Sequence, residues 1–228
     1  MFVTNFSALT IAEAEQKLAD VGVDATGSVI TSAMAAGSLV RSGERAFVCA
    51  GEGVVEAVEA AGGLCVHGDS VHGDSEIDVV VVGFHKTFDF AEMAAAAHAL
   101  HHGARLIATN TDPTYPTPDR LLPGNGALVA AIATAGKVEP IVAGKPYEPI
   151  AALIHQRLGT VAGDAENFDR HVMVGDLPAT DGSLARLLGF EFAFVESGVT
   201  TATQALAGDP KPDSVSPDLA ALVDQRLG

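Results

Sequence analysis

Four consecutive valines, Val79 to Val82, stand between Asp78 and Gly83 and constrain the fold more than any other stretch. The run is too short for a helix and shows no alternation with polar residues, so it reads as a strand covered on both faces. Such a strand needs helices on both sides of its sheet, and the rest of the sequence supplies them. Short apolar runs at 46–49, 106–108, 140–142, 171–174 and 191–195 read as further strands. Helical periodicity is expected over 10–21, 33–40, 54–61, 90–101, 126–135, 147–158, 182–188 and 218–226, and Val29-Ile30 opens another short segment. Strand–helix alternation of this kind predicts an α/β fold with parallel sheets, in which ligands gather at the carboxyl ends of strands. Residues 209–217 are Pro-rich and read as a surface tail.

Charge narrows the function. Thirteen Lys and Arg face 29 Asp and Glu, for a net charge of −16. A general basic surface for nucleic acid or an anionic membrane is therefore excluded, and each well-placed cation gains interest as a trap for an anionic substrate. Trp is absent and only two Tyr occur, so stacking on bases or sugars is not expected to drive binding. Cys49 and Cys65 sit in or beside apolar runs and read as buried thiols rather than a disulfide or metal set. No apolar run approaches the ~18 residues that cross a bilayer. The start MFVTNFS lacks the basic and long apolar stretches of a signal peptide, so a cytoplasmic setting is expected.

Several polar clusters lie at strand ends. In VMVGDLPATD, an apolar strand delivers Asp176, and Asp181 follows. A carboxylate there suits Mg²⁺, which takes few protein ligands and shares the rest with water and phosphate; Asp181 would equally cap the helix that follows. In VAGKPYEP, Lys145 sits in a tight Gly-Lys-Pro turn and can partner a phosphoryl oxygen, or can be a solvated loop lysine. In FVTNFS, Thr4 and Asn5 offer donors for a phosphate, or an ordinary turn. Gly51-Glu52-Gly53 lacks the third glycine of a dinucleotide fingerprint and reads as a strand-to-helix turn. The tandem VHGDS at 66–75 could gather His67, Asp69, His72 and Asp74 on a metal, but its Gly-rich composition fits an exposed loop better.

Taken in order, these pieces resemble subclass IIA of the haloacid dehalogenase superfamily, whose members include glycerol 3-phosphate, phosphoglycolate and nucleotide phosphatases. FVTNFS is similar to the second motif, FVTNNS, with Phe6 in place of the usual Asn. VAGKP resembles the third motif, and VGDLPATD the fourth, GDxxxTD. VVVGFHKTFDF, ARLIATNTD and LLPGNGALVAAI resemble the cap of the subclass, and SGVT and PDSVSPDLAAL its closing segment. The resemblance covers nearly the whole chain.

It implies a Rossmann-like parallel-sheet core at 1–43 and 144–228, with a large α/β cap inserted at 44–143. It implies Mg²⁺-dependent hydrolysis of small phosphate monoesters through an aspartyl-phosphate. Thr4 and Asn5 would bind the phosphoryl group, and Lys145 would offset its charge. Asp176, supported by Asp181, would hold Mg²⁺. Asn110 and Asp112 of the cap would face the leaving group, and the cap could also join two copies into a homodimer. It further implies a DxDG motif, the source of nucleophile and acid–base catalyst, ahead of FVTN. No DxDG occurs in this sequence. The expectation is therefore a fragment that lacks the central core strand and is inactive by itself. The competing expectation is a degenerate relative that binds a phosphorylated metabolite without turning it over.

Overall fold

The computed structural model describes residues 1–66, 76–117, 119–161, 163 and 171–228. The tandem VHGDS, with His67, Asp69, His72 and Asp74, lies outside the described residues. The chain divides into two compact units, Met1–Gly144 and Lys145–Gly228.

The first unit is organised around a five-stranded parallel sheet in the order β4-β3-β5-β6-β9. Its strands are β3 (Arg45–Cys49), β4 (Leu64–Val66), β5 (Val79–Val82), β6 (Arg105–Ala108) and β9 (Ile141–Val142). The valine run is β5, placed between β3 and β6, and all four of its side chains are 0 % exposed. On one side Phe47, Val80, Val82, Leu106 and Ala108 pack with Leu100 of helix α4 (Phe90–His101) and with Leu128 and Ile132 of α5 (Asn125–Gly136). Double-sided cover explains why β5 shows no polar alternation. Helix α4 starts at Asp89, whose carboxylate accepts the N–H of Glu92. Helix α1 (Ile11–Ala19) starts in a capping box between Thr10 and Glu13.

A separate two-stranded parallel sheet joins β1 (Phe2–Thr4) to β2 (Val29–Thr31), which leads into α2 (Ser32–Gly37). Helix α3 (Glu52–Ala60) follows β3 through the Gly51-Glu52-Gly53 turn. A Cβ at Gly53 would lie 2.0 Å from the carbonyl oxygen of Leu9, and one at Gly51 would lie 2.7 Å from that of Ala8. Both glycines are accounted for by backbone packing, as the strand-to-helix reading expects. A short antiparallel hairpin, β7 (Thr114–Pro116) with β8 (Leu121–Pro123), follows β6; its three-residue, Pro-ending strands are too short to carry a periodic signal. Cys49 is buried, Cys65 is half-buried, and both are free thiols. Burial, then the charge of Glu59, pushes Cys65 up to about 11, so it stays protonated and unreactive at neutral pH.

The second unit is a three-stranded parallel sheet, β10 (Val172–Gly175), β11 (Glu191–Val195) and β12 (Ser214–Ser216), in that order. With it lie α6 (Glu148–Leu158), α7 (Ser183–Leu188), α8 (Ala202–Ala207) and α9 (Leu219–Leu227). The segment 209–217 lies at the surface as expected, all but Ser216 being exposed or half-buried, but Ser214–Ser216 within it is a strand that its sequence does not signal. It pairs with Ala193–Val195, and Ser216 is buried. Backbone pairing to β11 and a fork from Arg186 to Asp213, 2.7 Å, hold a segment that has no apolar pattern.

Candidate active site

In the first unit, hydrogen bonds bring together three predicted site residues, Asn5, Asn110 and Asp112, with Thr4 adjacent in the same turn. Strand β1 ends at Thr4, and Thr4 Oγ1 accepts the N–H of Phe6 at 3.0 Å, which tightens the turn. The Asn5 carbonyl accepts from Ser32 Oγ and from Asn110 Nδ2, each at 2.7 Å. Asn5 Nδ2 donates to Asp112 Oδ2 at 3.1 Å, and Asp112 N–H returns to Asn110 Oδ1 at 3.1 Å. The turn after β1 is thus tied to the segment that leaves the carboxyl end of β6.

Below it lies a buried polar layer. Ser7 Oγ accepts from Thr109 Oγ1 (3.1 Å) and from the N–H of Phe84 (3.2 Å). Asn125 Nδ2 reaches Asn110 O at 2.8 Å and Thr109 Oγ1 at 3.2 Å. Ser7, Thr109, Asn110 and Asn125 are all buried, so each unmade bond there would cost more than its strength in water suggests. Gly144 completes the corner: its N–H donates to Thr109 O at 2.8 Å, and a Cβ there would lie 2.5 Å from Asn5 Oδ1.

Phe6, the departure from the usual motif, joins an aromatic cluster. Its ring lies 5.3 Å from Tyr115 on β7 and 5.7 Å from Phe84, and Lys17 Nζ sits 5.4 Å above it.

In the second unit, the carboxyl end of β10 carries the acidic residues. Asp181 lies in a wide turn, Pro178–Gly182, and is 3 % exposed. Its Oδ1 accepts from Lys145 Nζ at 2.7 Å. Its Oδ2 accepts the N–H groups of Asp176 and Leu177, at 3.2 and 3.1 Å. Both Asp181 oxygens are therefore engaged in orienting the lysine and the turn. Asp176 projects from that turn and accepts the Val199 N–H on Oδ2 at 2.7 Å. A Cβ at Gly198 would fall 2.0 Å from the same oxygen, so the carboxylate is clasped by backbone that only glycine can provide. Gly175 is also tight against Asp181, with a Cβ 2.4 Å from Oδ2.

The clasp by Gly198 and Val199 was not assigned from sequence; its signal was the SGVT segment following β11. The donor chemistry fits Mg²⁺: one oriented carboxylate at a strand end, with water and phosphate oxygens left to complete an octahedron. Among the described residues no group of three or more His, Cys, Asp and Glu could hold a metal ion, so an all-protein cage is not on offer there. Nor is any described helix long and apolar enough to cross a membrane.

The second unit is thus a parallel-sheet α/β fold with a buried lysine–aspartate pair and a clasped carboxylate at the end of β10. A family model described as haloacid dehalogenase (HAD)-hydrolase-like matches residues 142–222. A D-glycerol 3-phosphate phosphatase of Mycobacterium tuberculosis is 34% identical over 229 residues, covering 97% of this chain and 62% of that protein. An acid sugar phosphatase of Staphylococcus haemolyticus is 30% identical, covering 99% of this chain and 82% of the relative. The solved structure of a glycerol phosphate phosphatase of Mycobacterium tuberculosis in complex with magnesium superposes with a TM-score of 0.85 at 33% identity, over 97% of this chain and 66% of that one. The chain belongs to the haloacid dehalogenase superfamily, among its subclass IIA phosphatases. It spans 62% of the length of the mycobacterial relative, less than two thirds.

Proposed function

We propose that this chain carries the phosphate, lysine and magnesium elements of a Mg²⁺-dependent phosphomonoesterase acting on small phosphorylated metabolites of the glycerol, sugar or nucleotide type. The observation that carries the reading is Asp181. One buried carboxylate holds the Lys145 ammonium and the two N–H groups that aim Asp176. A lysine fixed in this way can neutralise developing charge on a phosphoryl group without reorganising. Asp176 would be the direct ligand of Mg²⁺, and Asp181 the residue that positions both. In the first unit, Thr4 and Asn5 would donate to phosphoryl oxygens, while Asn110 and Asp112 would meet the leaving group. The division into a core of 1–43 with 144–228 and a cap of 44–143 belongs to the same proposal, as does a homodimer through the cap.

The chemistry of the class needs a carboxylate nucleophile, and no DxDG quartet occurs in the 228 residues. This chain by itself is therefore expected to bind Mg²⁺ without turnover. The test is para-nitrophenyl phosphate hydrolysis with and without Mg²⁺, beside calorimetric Mg²⁺ titration of the same chain. Mg²⁺ binding that is lost in Asp176→Asn supports the site, and unchanged binding in that variant defeats it. Mg²⁺-dependent turnover by the 228 residues would overturn the nucleophile argument alone. The same missing quartet favours a second reading, a non-catalytic sensor of a phosphorylated metabolite. A metabolite panel titrated against this chain tests it: specific binding of one phosphorylated metabolite supports the sensor, and no binding by any member sinks it.

A further inference from the structure

The last turn of α4 ends in His98-Ala99-Leu100-His101-His102, and none of its histidines enters the site described above. His98 and His102 are one helical turn apart, exposed, with ring centroids 4.2 Å apart and planes at 42°. Residues four apart on a helix share a face, which is how two imidazoles on one helix can reach one metal ion. Proximity alone would be a weak argument, but the tautomer of His102 adds a second one. His102 Nδ1 lies 2.8 Å from the carbonyl oxygen of His98. A carbonyl only accepts, so Nδ1 carries the hydrogen and Nε2 of the neutral ring bears the lone pair. A histidine whose one nitrogen donates to a backbone carbonyl is held in orientation with its other nitrogen left as the ligand atom, the arrangement found behind metal-binding imidazoles.

We infer that His98 and His102 form a surface site for a late first-row transition-metal ion, distinct from the magnesium element at Asp176. Two neutral imidazoles in cis, with water completing the shell, suit the tetragonal preferences of Cu(II) and Ni(II). A closed structural zinc site would need four protein ligands, and no group of three is present among the described residues. Mg²⁺ prefers hard oxygen ligands and does not compete. A net charge of −16 raises the local concentration of any cation. Bound metal would bridge the end of α4 to its C-cap and so stiffen that terminus.

The test uses the untagged chain in excess Mg²⁺, titrated with Cu(II) and Ni(II) by calorimetry, with the Cu(II) spectrum recorded by electron paramagnetic resonance. One equivalent should bind, with coupling to two imidazole nitrogens. His98→Gln and His102→Gln should each weaken binding about tenfold or more, while His101→Gln should change it less than about twofold. Circular dichroism of each variant confirms that α4 is retained. Equal binding by the double variant His98→Gln/His102→Gln, or loss only on replacing His67 and His72, would overturn the assignment.

Discussion

Lys145 and Asp181 matter to one another before they matter to any substrate. Asp181 is almost fully enclosed, and the lysine ammonium is its charged partner at 2.7 Å. Removing one member of a buried pair strands the other, which costs about 3–5 kcal/mol, whereas replacing both with apolar groups is often neutral. Lys145→Met should thus lower stability by about 3 kcal/mol in urea denaturation, and Lys145→Met/Asp181→Leu should recover much of the loss. If the single variant is as stable as the parent, the pair is not the anchor described here. Gly198 carries a different burden. A methyl group there would sit 2.0 Å from Asp176 Oδ2, so Gly198→Ala must push the carboxylate aside. Weaker Mg²⁺ binding by about tenfold or more, with an unchanged denaturation midpoint, is the expected calorimetric result. Sequence marked Lys145, Asp176 and Asp181 as candidates through strand ends, a Gly-Lys-Pro turn and an ordered motif set, and the structure links the three by hydrogen bonds. Sequence did not disclose Gly198, because close approach between two loops leaves no local pattern.

Among the elements, legibility followed burial. The valine run and the Ala-rich α4 were readable because hydrophobic periodicity reports packing directly. Strand β12 was missed because its DSVS sequence is held by pairing to β11 and by Arg186, both distant in sequence. The β7–β8 hairpin was missed for a similar reason: Tyr115 is fixed by rings from Phe6 and Phe84, not by its neighbours. One link between elements also makes a pH prediction. His85, just after β5, has Nδ1 3.1 Å from Gly83 O and Nε2 2.7 Å from Glu92 Oε2 on α4. Both partners are acceptors, so the doubly protonated ring fits best. Burial pulls the imidazole down, but the bond to Glu92, the Gly83 carbonyl and the Glu92 charge together hold it above its ordinary 6.5. A group raised on folding contributes stability that is complete below 6.5 and is lost as pH rises through the higher folded value. The denaturation midpoint should accordingly fall across that window, and Glu92→Gln should flatten the fall. Identical pH profiles for the two proteins would remove the link.

At the scale of the whole molecule, a net charge of −16 on 228 residues sets two opposing salt effects. Surface ion pairs such as Arg186–Asp213, Arg226–Glu191 and Arg105–Glu44 lose strength when screened, but exposed pairs contribute only about 0–1 kcal/mol each. Self-repulsion among 29 acidic groups acts over the whole surface and is screened by the same salt. The Debye length falls from about 10 Å at 0.1 M to about 3 Å at 1 M, so repulsion between groups a helix diameter apart is largely removed. With few basic partners to lose and many like charges to quiet, the repulsion term should win. The thermal midpoint is therefore expected to rise between 0.1 and 1 M NaCl, and to rise comparably in KCl, since screening does not depend on which monovalent cation supplies it. A midpoint that falls with both salts would mean that the ion pairs, and not the excess of carboxylates, dominate the electrostatics of this fold. The buried Lys145–Asp181 pair lies outside that contest, because enclosed charges are screened far less. The stability difference between Lys145→Met and the parent should consequently be nearly the same at both salt concentrations, even while both midpoints move.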